Sequence, residues 1–383
     1  MDVMTAQMIS PTTSDTPATT SDVKTFAKGS LIAFVGKLLG RGMQALLQIV
    51  LARALGPQIL GLYTLGWTTI RLGSVIIPLG LDRAIIHFTS KDWYENPQRF
   101  KQILRSSLTL ALIAGCIAGA SLYLAAPYLA DLLQNSDLTY VLRCFAFTFP
   151  FLAGMKIMAA ATTVSQRMQY AVYTEDFGFP FLNLLFFLVF FAFGVKLFGA
   201  ILATIFSLTA VCVLAAYYLR QLLPSTSALT ESVAVVPITT LLAFSTPSAL
   251  AGALNVLMLW LDRYFIGYFL STEQTGIYQA LTQIPILFVV SLQAISGIFS
   301  PMIADLFAKR EQKRLNELFK VSTKWAVYWS LPVYIVVILF PNHVLNALFG
   351  SQYSGWEVPL IILATGQMLN VITGPVGYLL IMS

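Results

Sequence analysis

The 383-residue chain is 57% hydrophobic and only 10% charged, with a mean hydropathy of +0.76 and a formal net charge of +6. A soluble enzyme or binding module of this length has no use for so much apolar surface, so the sequence reads as an all-α polytopic membrane protein. The basic balance does not indicate a nucleic-acid partner, because the cations gather at span ends on one side of the membrane.

Residues 1–28 are rich in Ser, Thr and Pro and lack the charged-then-apolar order of a cleavable signal, which predicts a disordered cytoplasmic tail. Ten spans follow, near 29–54, 59–82, 104–126, 138–161, 175–194, 197–219, 238–261, 275–299, 321–341 and 357–382. Each is long enough for a hydrocarbon core of roughly 30 Å. With the N-terminus placed inside, fifteen of the twenty-three Lys and Arg residues fall on the inner side, four (Arg53, Arg143, Lys196, Arg263) fall outside and four lie within spans. The positive-inside bias therefore sets the N-terminus on the cytoplasmic face, and the membrane is expected to be the plasma (inner) membrane.

The first two spans carry polar residues where lipid-facing helices have none. Lys37, Arg41, Gln44 and Gln48 recur at spacings of four, three and four, which puts them on one stripe of the first helix. Thr64, Thr68 and Arg71 repeat the spacing in the returning span, beyond the turn at Gly56-Pro57. A cation at mid-bilayer costs roughly 2.5–3.5 kcal/mol even on the lenient insertion scale. Neither run contains a carboxylate before Asp82 at the very end of the second, so none offsets that cost, and no coupling acid is expected within the N-terminal spans. The stripe is therefore expected to line a wet cavity that receives an anion. Snorkelling to the headgroups is an alternative for Lys37, whereas Arg41 and Arg71 lie too deep for it.

An offset of 215 residues matches Leu55, Gly61 and Tyr63 to Leu270, Gly276 and Tyr278, and the basic run from Arg99 to Arg105 to that from Arg314 to Lys320. The copies lie six spans apart, so two parallel six-helix lobes are expected, with the site between them. The lobes divide as 29–223, with six helices, and 237–383, with four, joined by a cytoplasmic linker at 224–236. On this plan the second lobe is expected to lack at least two helices, through a C-terminal truncation or because the sequence is a fragment.

The run Lys28-Gly29-Ser30-Leu31, then Gly36 to Arg41, Ala52 to Pro57 and Gly61-Leu62-Tyr63 resembles the opening of the polysaccharide (Wzx-like) flippases. These belong to the multidrug/oligosaccharidyl-lipid/polysaccharide (MOP) superfamily. Leu79 to Asp82, Gly366 to Asn370 and Gly374 to Gly377 fit the same pattern. The resemblance implies two pseudo-symmetric six-helix lobes in a V. It also implies alternating-access flipping of a polyprenyl-diphosphate-linked oligosaccharide to the outer leaflet, with the bilayer, a glycan polymerase and glycosyltransferases as partners. Arg41 and Arg71 are the leading diphosphate candidates, since a guanidinium can bind two oxygens at once, followed by Lys37 and by Arg53 as an outer waypoint. Gln44, Gln48, Thr64 and Thr68 are candidates for sugar hydroxyls, as are Gln279, Gln283, Gln367 and Asn370, although such amides equally well join helices. Trp67 and Trp260 are candidate stacking surfaces or interfacial residues.

Gly36-x-x-x-Gly40 and Gly115-x-x-x-Gly119 read as close-packing stripes. Cys116, Cys144 and Cys212 read as small core residues, and His87 and His343 are too isolated for a metal site, so no cofactor is expected. A multidrug or cation antiporter would want an acid in the early helices. A membrane-embedded polymerase or acyltransferase would want a large outer loop or a cluster of His, Asp and Glu. The sequence shows neither pattern.

Overall fold

A computed structural model describes residues 20–90, 93, 96–165, 170, 172–223, 237–309, 311–374 and 376, and every regular element among them is helical. The first, α1 (Thr20–Ile76), is two arms joined at Gly56, whose φ of 74° only glycine adopts without strain. Pro57 follows as the first residue of the second arm, where its missing N–H costs nothing. Residues 37–45 and 67–74 line one cavity, so the arms fold back as a hairpin about Gly56. The helix begins at Thr20, inside the stretch expected as tail, while residues 1–19 and the expected linker lie outside the described residues.

The chain continues through α2 (Leu81–Thr89), α3 (Pro97–Leu132), α4 (Asp137–Ala146) and α5 (Phe149–Val164). The expected fourth span is thus two helices bent by 41°, with Pro150 in the first turn after the break. A π-helical turn, Val172–Gly178, runs into α6 (Phe179–Ala192), followed by α7 (Leu197–Leu222). Beyond the undescribed segment come α8 (Ile238–Phe269), α9 (Thr272–Ala308), α10 (Gln312–Leu339), α11 (Pro341–Phe349) and, after a short 3₁₀ turn at Ser351–Tyr353, α12 (Glu357–Thr373). Among the described residues, six helical segments are long and apolar enough to cross a membrane, or seven with the bent α4–α5 pair counted as one span, against the ten spans expected. Met258 (85% exposed) and Phe193 (78%) show the outward-facing apolar surface that lipid would cover.

Small residues set the closest approaches. An added Cβ at Gly115 or Gly119 on α3 would meet the backbone at the α4–α5 break, in keeping with the packing role expected for that stripe. Gly36 packs against Val172, and Gly40 lies directly on the carbonyl of Asp176. The first glycine stripe thus admits the π-helical turn against α1, and that turn carries two acids.

Candidate functional site

A cavity of about 450 Å³ opens between the arms of α1, bounded by α5, the π-helical turn, α6 and α9. Lys37, Arg41 and Gln44 reach it from the first arm, Arg71 and Ser74 from the second, and Gln283 from α9. Five of the polar candidates are therefore brought together, Lys37, Arg41, Gln44, Arg71 and Gln283, along with Trp67. Arg41 and Arg71 stand fifteen residues either side of Gly56, about 22 Å along their arms at 1.5 Å per residue.

The expectation that no acid serves this region is overturned. Glu175 and Asp176 both line the cavity, and Lys156 of α5 joins them through an ion pair with Glu175 (Nζ–Oε2 3.0 Å). The sequence places these acids at the membrane end of the fifth span. The π-helical turn, which has no clear sequence signal, carries them instead against Gly40. Asp176 is within electrostatic reach of Lys37 and Arg41 but forms no ion pair with them. Four cations (Lys37, Arg41, Arg71, Lys156) against two carboxylates leave the described lining with a net charge of +2.

Arg71 is held in an unusual way. Its guanidinium carbon lies 4.7 Å from the Trp67 ring and 5.6 Å from that of Trp260, and its Nε is buried with no hydrogen-bond partner. The indoles are therefore not free to stack on sugars. Phe179 lies on Trp67 at 5.5 Å and 6°, and Arg263 stands 4.7 Å from the Trp260 ring. Both rings shape and desolvate the arginine, which strengthens its interaction with any anion that reaches it.

The remaining candidates sit elsewhere. Thr64 and Thr68 are fully buried, and the Thr68 hydroxyl donates to the Thr64 carbonyl at 2.8 Å. Gln48 and Gln279 are buried against each other, with Gln279 donating to Gln48 at 3.4 Å and accepting from Arg263 Nε at 3.2 Å. Neither is among the residues that line the cavity. Arg263, expected in an outer loop, lies buried within α8 and is paired with Asp262 at 2.6 Å. Arg53, expected as a waypoint for substrate, instead donates from Nε to Leu348 O at 2.8 Å and from Nη2 to Ala347 O. Gln367 and Asn370 bond to each other at 3.3 Å on α12, away from the cavity lining.

Comparison with known proteins places this geometry in context. A probable low-salt glycan biosynthesis flippase, Agl15, from Haloferax volcanii is 23% identical over 118 residues, covering 31% of this chain and 25% of that protein. A probable flippase, AglR, from the same organism is 29% identical over 116 residues, covering 30% and 24%. The matched stretch thus spans about a quarter of these relatives. Among solved structures, an inward-facing multidrug resistance MATE family transporter of the MOP superfamily superimposes with a TM-score of 0.68 at 14% identity. That match covers 92% of this chain and 87% of the other. The fold is therefore MATE-like. The family described as polysaccharide biosynthesis protein matches residues 50–357, most of the chain, and the chain belongs to that family.

Proposed function

We propose that this protein is a flippase which moves a polyprenyl-diphosphate-linked oligosaccharide between leaflets for polysaccharide biosynthesis, and is not an enzyme. The observation that carries this reading is the cavity's net charge of +2 with no ion pair at Lys37, Arg41 or Arg71 among the described residues. A diphosphate esterified at both ends carries about two negative charges, one per phosphate, and would neutralise that lining. Arg41 and Arg71 bind the diphosphate, Lys37 and Lys156 add charge, and Gln44 and Gln283 meet the first sugar. On this reading the N-terminus lies on the cytoplasmic face of the plasma membrane, as the basic loops favour, and the Gly56 end lies outside. Two lobes, 29–223 and 237–383, alternate access to the cavity, with glycosyltransferases supplying the cargo and a polymerase receiving it.

Glu175 and Asp176 favour a second reading, a cation-coupled drug antiporter, because a cationic drug needs acids in the cavity. Binding of inorganic pyrophosphate and of a cationic dye to purified protein separates the two. Asp176→Asn raises the net lining charge by one, so pyrophosphate should bind about three- to tenfold tighter, with a steeper loss of affinity in salt. Weaker dye binding and unchanged pyrophosphate affinity in that variant would favour the antiporter instead. In vesicles containing a polyprenyl-diphosphate glycan, Arg41→Ala should slow flipping by at least about tenfold at equal protein level. Undiminished flipping would remove the cavity from the mechanism.

A further inference from the structure

The Gly56 end of the molecule is shut by two contacts that the internal repeat relates to each other. An added Cβ at Gly61 would overlap the Thr272 carbonyl, and one at Gly276 would overlap the Pro57 carbonyl. Gly61 and Gly276 lie 215 positions apart, as do Pro57 and Thr272, so each contact is the other with its partners exchanged. Such reciprocity is what a two-fold relation between the halves produces.

Further out, the same exchange recurs. The corner between α3 and α4 reaches the turn before α9, where Asn135 Nδ2 donates to Thr272 Oγ1 at 3.0 Å. The offset carries Asn135 to Gly350 and Thr272 to Pro57, and there the corner between α11 and α12 rests on the turn of α1. The Tyr353 side chain, with no exposed surface, donates from its hydroxyl to Ala52 O at 3.0 Å, and Gln352 lies over Gly56. Arg53 completes this second contact through the carbonyls of Leu348 and Ala347, in the last turn of α11, where a cation complements the helix C-terminus.

We propose that these are paired clasps, one supplied by each half, that hold the Gly56 end closed about a Gly61–Gly276 pivot, and that both must release before the cavity opens at that end. The clasps are unequal. The one built on Arg53 and Tyr353 has a charged donor and a buried phenol, whereas the Asn135 clasp has one neutral hydrogen bond. Release of the Arg53 clasp is therefore the step that limits opening. The inference rests on the alternating-access reading, but its test reads geometry and not transport.

The test uses the full chain with Cys116, Cys144 and Cys212 replaced by alanine and a Ser74→Cys reporter on the cavity wall. A membrane-impermeant maleimide is applied from either side of sealed vesicles. Arg53→Gln should raise labelling from the Gly56 side about tenfold, the factor for one charge-assisted hydrogen bond. Asn135→Ala should raise it less, the two together most, and labelling from the opposite side should not rise. Tyr353→Phe removes a single hydroxyl and repeats the test should Arg53→Gln lower the yield of folded protein. Unchanged labelling in the double variant, or an equal rise from both sides, overturns the clasps. Raised labelling without any glycan flipping upholds the clasps and overturns the transport reading alone.

Discussion

Arg71→Met gives a protein that melts no lower than its parent yet flips at most about one-thirtieth as much glycan lipid. Stability and activity part company because of how the guanidinium is held. Its Nε is buried without an acceptor, and no carboxylate among the described residues pairs with it within 4 Å. The buried edge of this charge loses hydration that no acceptor replaces in the empty protein, which is costly. Contacts with Trp67 and Trp260 return about 0.5–2 kcal/mol each. Methionine fills the slot between the indoles with a flexible apolar chain and removes the buried charge. On the proposed reading, the lost function is the two-pronged bond to a phosphate, worth about 2–3 kcal/mol, or roughly 30- to 150-fold. Melting in detergent and flipping in vesicles check the two halves separately. A large fall in melting temperature would mean that the guanidinium stabilises the empty protein. Parental flipping would take Arg71 out of the site.

Gly61→Ala and Gly276→Ala each remove most of the folded protein. At both positions the added methyl group would meet a backbone carbonyl, of Thr272 or of Pro57, and backbone cannot rotate away as a side chain can. Overpacking of this kind costs about 1–3 kcal/mol when side chains can adjust, and more here because two helix starts must separate. Gly366→Ala on α12 is the control. No atom lies within 4 Å of its would-be Cβ, so the substitution should stabilise the helix by about 0.5–1 kcal/mol. Folded yield and melting temperature of the three variants decide the matter. Equal melting temperatures for Gly61→Ala and Gly366→Ala would show that the two helices have room to part.

The helices were largely legible in the sequence because a span must satisfy every backbone group internally and be apolar throughout, which few patterns achieve. The cationic end of the first stripe was legible too. Lys37, Arg41 and Gln44 share a face, and the turn at Gly56-Pro57 returns Arg71 to the same depth. Spacing says nothing about what covers a stripe, however. Gln48 continues the face of Lys37 but lies where α9 closes over α1, so it became a packing residue. Thr68 took the local option of bonding its own helix, as threonine often does. Arg53 found its acceptors nearly 300 residues away, where no local pattern could point. The acids Glu175 and Asp176 were hidden for a related reason. Their depth depends on a π-helical turn and on Gly40, each unremarkable alone.

The hairpin of α1 has one more consequence. Arg41 and Arg71 belong to a single covalent loop hinged at Gly56, with no flexible segment between them. On the proposed reading, a charged head bound by both residues would stay with this one hairpin throughout transport. It need not be handed across the molecule. On that reading, what changes is which aqueous compartment the opposite wall leaves uncovered.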